Sequence, residues 1–258
     1  MYKPSTYRKC IPYVSNRVYG GVPWRRAGAG SFSPLSLNPV LWLSNTGRFQ
    51  DSAMTIPSVF TGDPIGGWKG LANGKNAIQA TNSARPELVL NVQNGLSGVS
   101  FDRVAQFLVL TTDLSQNEFS LFMVFNTETV AQTSILGGNS NNPQAAVNFS
   151  SIGEMVLTFN GSDTGGSSAI GTPTTNYSLL EYLTDGTTVS YYQNGISYGT
   201  SAVSGTNAGF TTIGALENGS ALTFGGNLLE LLFIPTYLTA TKRQQVEQFI
   251  NNEWRLGF

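Results

Sequence analysis

The chain has 258 residues, of which 40% are apolar and only 11% charged, with 29 glycines and a net charge of −1. That charged share lies well below the roughly 25% of an average globular domain, and because single β-sandwiches commonly reach this length, one core is the default expectation. With no histidine and the single cysteine Cys10, histidine-based nucleophile systems, intrachain disulfides and cysteine cages for zinc are excluded, so any catalysis would rest on carboxylates.

Residues 1–33 show neither helical nor alternating periodicity and are broken by Pro4, Pro12, Gly20, Gly21, Pro23, Gly28 and Gly30. The first 50 positions hold seven of the 14 basic residues and none of the 15 acidic ones. Lys3, Arg8, Lys9, Arg17, Arg25 and Arg26 are interleaved with Trp24 and several tyrosines, and such an extended arm is expected to anchor the chain on an anionic partner. Docking on another protein is favoured over nucleic acid, because no nucleic-acid-binding fold accompanies the charge; a tail wrapped on its own domain is the alternative. No apolar stretch reaches signal-peptide or membrane-spanning length, so neither classical secretion nor membrane insertion is expected.

From Leu35 onward the texture changes to short apolar runs between turn residues. Strands are expected at Pro39–Leu43, Glu87–Leu90, Gly98–Phe101, Phe107–Thr111, Phe119–Phe125, Ala145–Phe149, Glu154–Phe159, Ser178–Leu183, Thr188–Tyr192, Phe210–Ile213 and Leu228–Ile234. Asn194-Gly195 between two such runs predicts an antiparallel hairpin, since both residues tolerate the positive φ of a type I′ turn. Gly137-Gly138 and Gly225-Gly226 lack the Lys-Ser/Thr of a phosphate loop and read as turns, and Gly161–Thr175 reads as a low-complexity loop inside the domain. A single helix is expected near the end, with Thr239 as N-cap and Val246, Phe249, Ile250 and Trp254 on one face.

Several of these segments carry a family pattern. Pro39-Val40-Leu41-Trp42-Leu43-Ser44, then Trp68, Asn73-Gly74-Lys75-Asn76-Ala77, Ala84-Arg85-Pro86-Glu87-Leu88 and Gly98-Val99-Ser100-Phe101-Asp102 follow one another at the spacing seen in the opening half of laminin G-like domains. Phe119–Phe125, Tyr192-Gln193-Asn194-Gly195 and the stretch from Gly226 through Phe233 to Trp254 match its later parts. Over residues 35–258 the chain thus resembles the laminin G-like, concanavalin A-like jelly rolls. The resemblance implies an all-β, two-sheet antiparallel jelly-roll sandwich with one C-terminal helix over residues 34–258, preceded by the arm of residues 1–33. It also implies structural roles for Glu230 and Trp254. Lys69 stands where the family often has an acid and Arg103 where it has a glycine, which removes support for a cation or ligand site at those places.

Retaining glycosidases need two carboxylates about 5–5.5 Å apart, which on one strand would appear as Glu-x-Asp or Glu-x-x-x-Glu. Glu230 instead sits among Leu228, Leu229, Leu231 and Leu232, so no catalytic residue is assigned and no enzyme is expected. No cofactor is expected either. Asp51, Asp63, Asp102, Asp113, Asp163 and Asp185 are isolated in sequence, so no motif supports calcium, although separate loops can converge on one ion. Tyr177, Tyr198 and Tyr237 fit either glycan contacts or cross-strand packing. The leading expectation is a non-enzymatic bacteriophage virion protein, an accessory capsid, fibre or tail component. It would be held to other virion proteins by its arm, form a homo-oligomer and display a jelly roll to host-surface glycans. A carbohydrate-binding module of a cellular surface protein and a glycan-cleaving enzyme of the same fold are the alternatives.

Overall fold

The computed structural model describes residues 32–127, 132–138, 145–149, 155–159, 162–163, 176–203, 205–207, 209–216, 219 and 221–258. The anchoring residues Lys3, Arg8, Lys9, Arg17, Trp24, Arg25 and Arg26 therefore lie outside the described residues. In chain order the strands are β1 (Leu41–Leu43), β2 (Arg48–Phe49), β3 (Gly67–Lys69), β4 (Asn76–Ile78), β5 (Glu87–Gln93), β6 (Leu96–Asp102), β7 (Leu108–Leu114), β8 (Glu118–Thr127) and β9 (Thr133–Gly137). They continue with β10 (Ala146–Phe149), β11 (Met155–Phe159), β12 (Ser162–Asp163), β13 (Ser178–Asp185), β14 (Thr188–Gln193), β15 (Ile196–Ala202), β16 (Phe210–Ile213) and β17 (Gly225–Ile234), and the helix α1 (Ala240–Trp254) follows.

These strands form the expected two antiparallel sheets. The first runs β15-β14-β13-β8-β17-β6-β5 with β1 also on β17, and the second runs β12-β11-β10-β9-β16-β7-β4-β3-β2. Strand β17 gives one edge to β8 and divides the other between β6, at Gly225–Leu228, and β1, at Leu231–Phe233. At its centre the first sheet is buried on both faces, which explains the almost unbroken apolar runs of β8 and β17. Phe119, Leu121, Met123 and Phe125 point into the sandwich, whereas Phe122 and Val124 point outward. That outer cluster meets Val246, Ile250 and Trp254 of α1, with Phe249 at its margin. Inside, Phe119 stacks on Phe233 at 4.8 Å and presents edges to Phe159 and Phe210 of the facing sheet, contacts that add to the burial of each ring.

The hairpin expected at Asn194-Gly195 is present with φ values of 50° and 74°. The same dipeptide also turns the chain at Asn94-Gly95, between β5 and β6, and at Asn73-Gly74, between β3 and β4. Two glycine pairs are not the turns that were expected. Gly137 ends β9, while Gly225 and Gly226 open β17. Gly226 has φ +144° and backs onto β8 so closely that a Cβ would lie 2.3 Å from the Asn126 carbonyl oxygen, which is the close backbone approach that admits glycine within a strand. Strands β2, β3 and β4 and the two-residue β12, which falls within the expected Gly161–Thr175 loop, are too short to show any alternation. At the start of the described unit, Phe32 packs on the outer cluster and the Ser33 hydroxyl accepts the Leu35 N–H at 3.3 Å, capping a turn of 3-10 helix at Pro34–Leu37.

Candidate functional site

Beside the C-terminal end of α1 the outer face of the first sheet holds a cavity of about 440 Å³, lined among the described residues by Val92, Gln93, Asn176, Tyr177 and Leu256. Its walls come from three places far apart in sequence. Val92 and Gln93 end β5 where Asn94-Gly95 turns the chain, Asn176 and Tyr177 lead into β13, and Leu256 follows the left-handed Arg255, φ 52°, that closes α1. The turn is tied to the helix end. Gln93 donates through Nε2 to the Arg255 carbonyl at 3.1 Å, and Asn94 donates through Nδ2 to the Glu253 carbonyl at 2.6 Å.

Tyr177 is half-buried, with its ring against the outer apolar cluster. Asn227 on β17 donates through Nδ2 to the Tyr177 phenol oxygen at 2.9 Å, and its own backbone N–H donates to Oδ1 of Asn126, its neighbour on β8, at 3.0 Å. An oxygen engaged as acceptor keeps its own O–H as a donor. Burial raises the Tyr177 pKa, the Asn227 hydrogen bond opposes the rise, and the phenol stays neutral at any ordinary pH. The cavity, open to solvent on one side, thus brings an aromatic ring, two aliphatic side chains and two amide groups together.

The closing acid serves a different purpose. The register of β17 against β8 slips between Leu228 and Glu230, and this bulge lets Leu229 and Glu230 both face the helix. Trp42 Nε1 donates to Glu230 Oε1 at 2.7 Å, and Trp254 Nε1 donates to Oε2. Glu230 is fully buried. Its pKa is pushed up to about 8, first by burial and then by the charge of Glu253, against the pull of the two indoles and Arg48. Arg48 is itself lowered to about 9 by burial; it donates to the Asn45 and Ser97 carbonyls and lies 5.2 Å from the Trp68 ring centre. A second buried group under α1 joins Arg243 to Glu181 and Glu247, with the guanidinium 3.8 Å over the Tyr192 ring. Both groups fasten the helix to the sheet, and the sheet carboxylates within them, Glu230 and Glu181, are sealed from solvent.

The three tyrosines named from the sequence do not converge. Tyr177 lines the cavity. Tyr198, on β15, packs against the inner core, and Tyr237, 40% exposed, follows the far end of β17, about 23 Å from Asn227 at 3.3 Å per residue. Asp51, Asp63, Asp102 and Asp185 each accept backbone N–H groups of their own loops, and no group of three potential ligands gathers among the described residues. Asp113 lies against Gly209, and partial burial raises its pKa. Sequence reasoning missed Val92, Gln93, Asn176, Leu256 and Asn227. One signal was available: Asn126 and Asn227 are amides inside otherwise apolar strands, where asparagine is disfavoured.

No protein-family model matches the chain, and no curated protein sequence matches it significantly. Solved structures do. An arabinofuranosidase complexed with arabinofuranosyl-α-1,2-xylobiose shares the fold with TM-score 0.62 and 12% identity, over 85% of this chain and 64% of that one. A GH54 α-L-arabinofuranosidase soaked with a cyclic sulfate inhibitor gives 0.55 and 12%, over 72% and 50%. Trypanosoma rangeli sialidase in complex with sialic acid gives 0.55 and 14%, over 88% and 34%. The likeness is one of fold, and the chain spans less than two thirds of each of these proteins.

These neighbours correct two expectations. All three are glycosidases, which overturns the reading of a non-enzymatic virion component and with it the statement that no enzyme is to be expected. The physical reason is plain in each case. The expectation looked for two carboxylates on one strand, whereas glycoside cleavage needs only that two carboxylates meet in space, and a pair drawn from different strands or loops leaves no such pattern. A basic arm, for its part, specifies an anionic partner without saying which.

Proposed function

We propose that this β-sandwich, of the concanavalin A-like and laminin G-like type, recognises glycans through the Tyr177 cavity. The observation that carries the reading is the Tyr177–Asn227 hydrogen bond beside an open cavity where amide and aliphatic side chains meet the tyrosine. A ring so held offers a flat apolar face to the C–H side of a sugar, and the phenol and amides meet its hydroxyls. The arabinofuranosidase and sialidase folds support a saccharide as the ligand class. A glycan array probed with the parent chain, Y177A and N227A tests it. Parent binding should be lost in Y177A and weakened by up to about tenfold in N227A, the scale of the one hydrogen bond that holds the Tyr177 phenol in place; glycan binding indifferent to both changes would place the site elsewhere.

Glycan cleavage is the second reading. Beyond the glycosidase folds it draws on Asp113, an exposed carboxyl whose pKa partial burial raises, which would supply one of the two carboxylates that glycoside cleavage uses. Turnover of an arabinofuranoside that vanishes in D113N would establish it, and turnover unchanged in D113N would remove Asp113 from the reaction.

A further inference from the structure

We infer that Phe258 is a second sugar platform beside the Tyr177 cavity, so that the site takes saccharides of two or more units in preference to single sugars; this deepens the glycan-binding reading above and rests on it. Leu256 lines the cavity, and Phe258, two residues further on, has its Cα at most about 7 Å from that of Leu256. Phe258 is 40% exposed. The edge of its ring lies against the β14–β15 turn, where a Cβ placed on Gly195 would meet Phe258 Cδ2 at an ordinary contact distance of 3.7 Å. That turn is itself joined to the Tyr177 side of the cavity. The Asn194 N–H donates to the Leu179 carbonyl at 2.9 Å, and the Leu179 N–H donates to Asn194 Oδ1 at 2.9 Å. Leu179 and Tyr177 belong to the same outer cluster, two residues and about 7 Å apart at 3.3 Å per residue. Two separate routes, the tail after α1 and the turn after β14, therefore bring Phe258 to the margin of the cavity.

The tail that carries the ring is fixed in place. Asn251, on the last turn of α1, donates through Nδ2 to the Phe258 carbonyl and accepts the Gly257 N–H on Oδ1 at 3.1 Å. Gly257 takes φ 83°, a conformation open to glycine at no steric cost, and the tail turns back toward the helix. A ring positioned in advance loses little freedom when a sugar lies on it. A single sugar on Tyr177 would leave the Phe258 face wet, whereas a second unit would cover apolar area that the first does not reach. Preference for longer saccharides then follows from the spacing of two aromatic rings on one surface.

Calorimetry on the full chain with xylose, xylobiose and xylotriose tests this. Xylobiose and xylotriose should bind at least tenfold more tightly than xylose, F258A should remove that preference, F258Y should keep it, and Y177A should weaken all three sugars at least tenfold. Equal affinity for xylose and xylobiose, or a preference that F258A leaves untouched, would overturn the second platform while leaving the glycan site in place. Failure of all three sugars to bind, or binding that ignores Y177A, would overturn the glycan site itself.

Discussion

At the residue scale the clearest physical commitment is Glu230, a carboxyl held between two indoles under the helix. Its folded pKa of about 8 stands above the ordinary 4.5, so between those values the folded chain keeps a proton that the unfolded chain releases. The contribution of this group is therefore fully present below pH 4.5 and is lost as pH rises through about 8. Glu181, raised to about 9 by burial and by Glu247, acts in the same direction. Denaturant unfolding should thus show stability falling from pH 5 to pH 9. E230Q should be less stable than the parent at pH 5, where its amide disturbs the indole pairing, with the gap closing or reversing by pH 9. A gap that stays constant across that range would mean that Glu230 does not titrate with folding.

At the element scale, what could be read in advance followed the periodicity. The buried strands β8 and β17, the Asn194-Gly195 hairpin and the α1 face of Val246, Ile250 and Trp254 were all legible, because an apolar run, a turn dipeptide and a helical repeat are each local to one segment. The buried Arg243 and Glu247 on that same helix were not, since their partners Glu181 and Tyr192 lie on other elements. The cavity was legible only as Tyr177 alone; Gln93 and Leu256 are brought to it by tertiary contacts, and no local pattern marks them. Loops add their own devices. The edge strand β5 is covered by residues 61–65: Gly62 N–H meets the Leu88 carbonyl at 2.9 Å, and Leu88 N–H meets the Asp63 carbonyl at 2.8 Å. The Asp63 carboxylate holds that loop through Val59 and Phe60. D63A should loosen it, seen as faster hydrogen exchange at Leu88 and more light scattering on warming, as expected of an uncovered edge; unchanged exchange at Leu88 would show that the loop holds without its carboxylate.

At the scale of the whole molecule the two sheets and the helix form three layers with two apolar interfaces, one between the sheets and one beneath α1. The outer interface also contains the buried ionisable groups, so the helix layer is the part whose attachment responds to pH. The cavity lies at the margin of that same layer. The proposed glycan site and the helix attachment are thus neighbouring parts of one surface, while the inner core of phenylalanines from both sheets supplies the base on which they rest.

The two amide links from Gln93 and Asn94 to the last turn of α1 make that margin a clasp. A sugar resting on Tyr177 and Gln93 would touch one side of that clasp, and its binding would favour the clasped arrangement. Saturating sugar should therefore slow deuterium uptake at Asn251–Leu256 while leaving the strands that face the other sheet untouched; equal uptake with and without sugar would mean that the clasp and the sugar are independent.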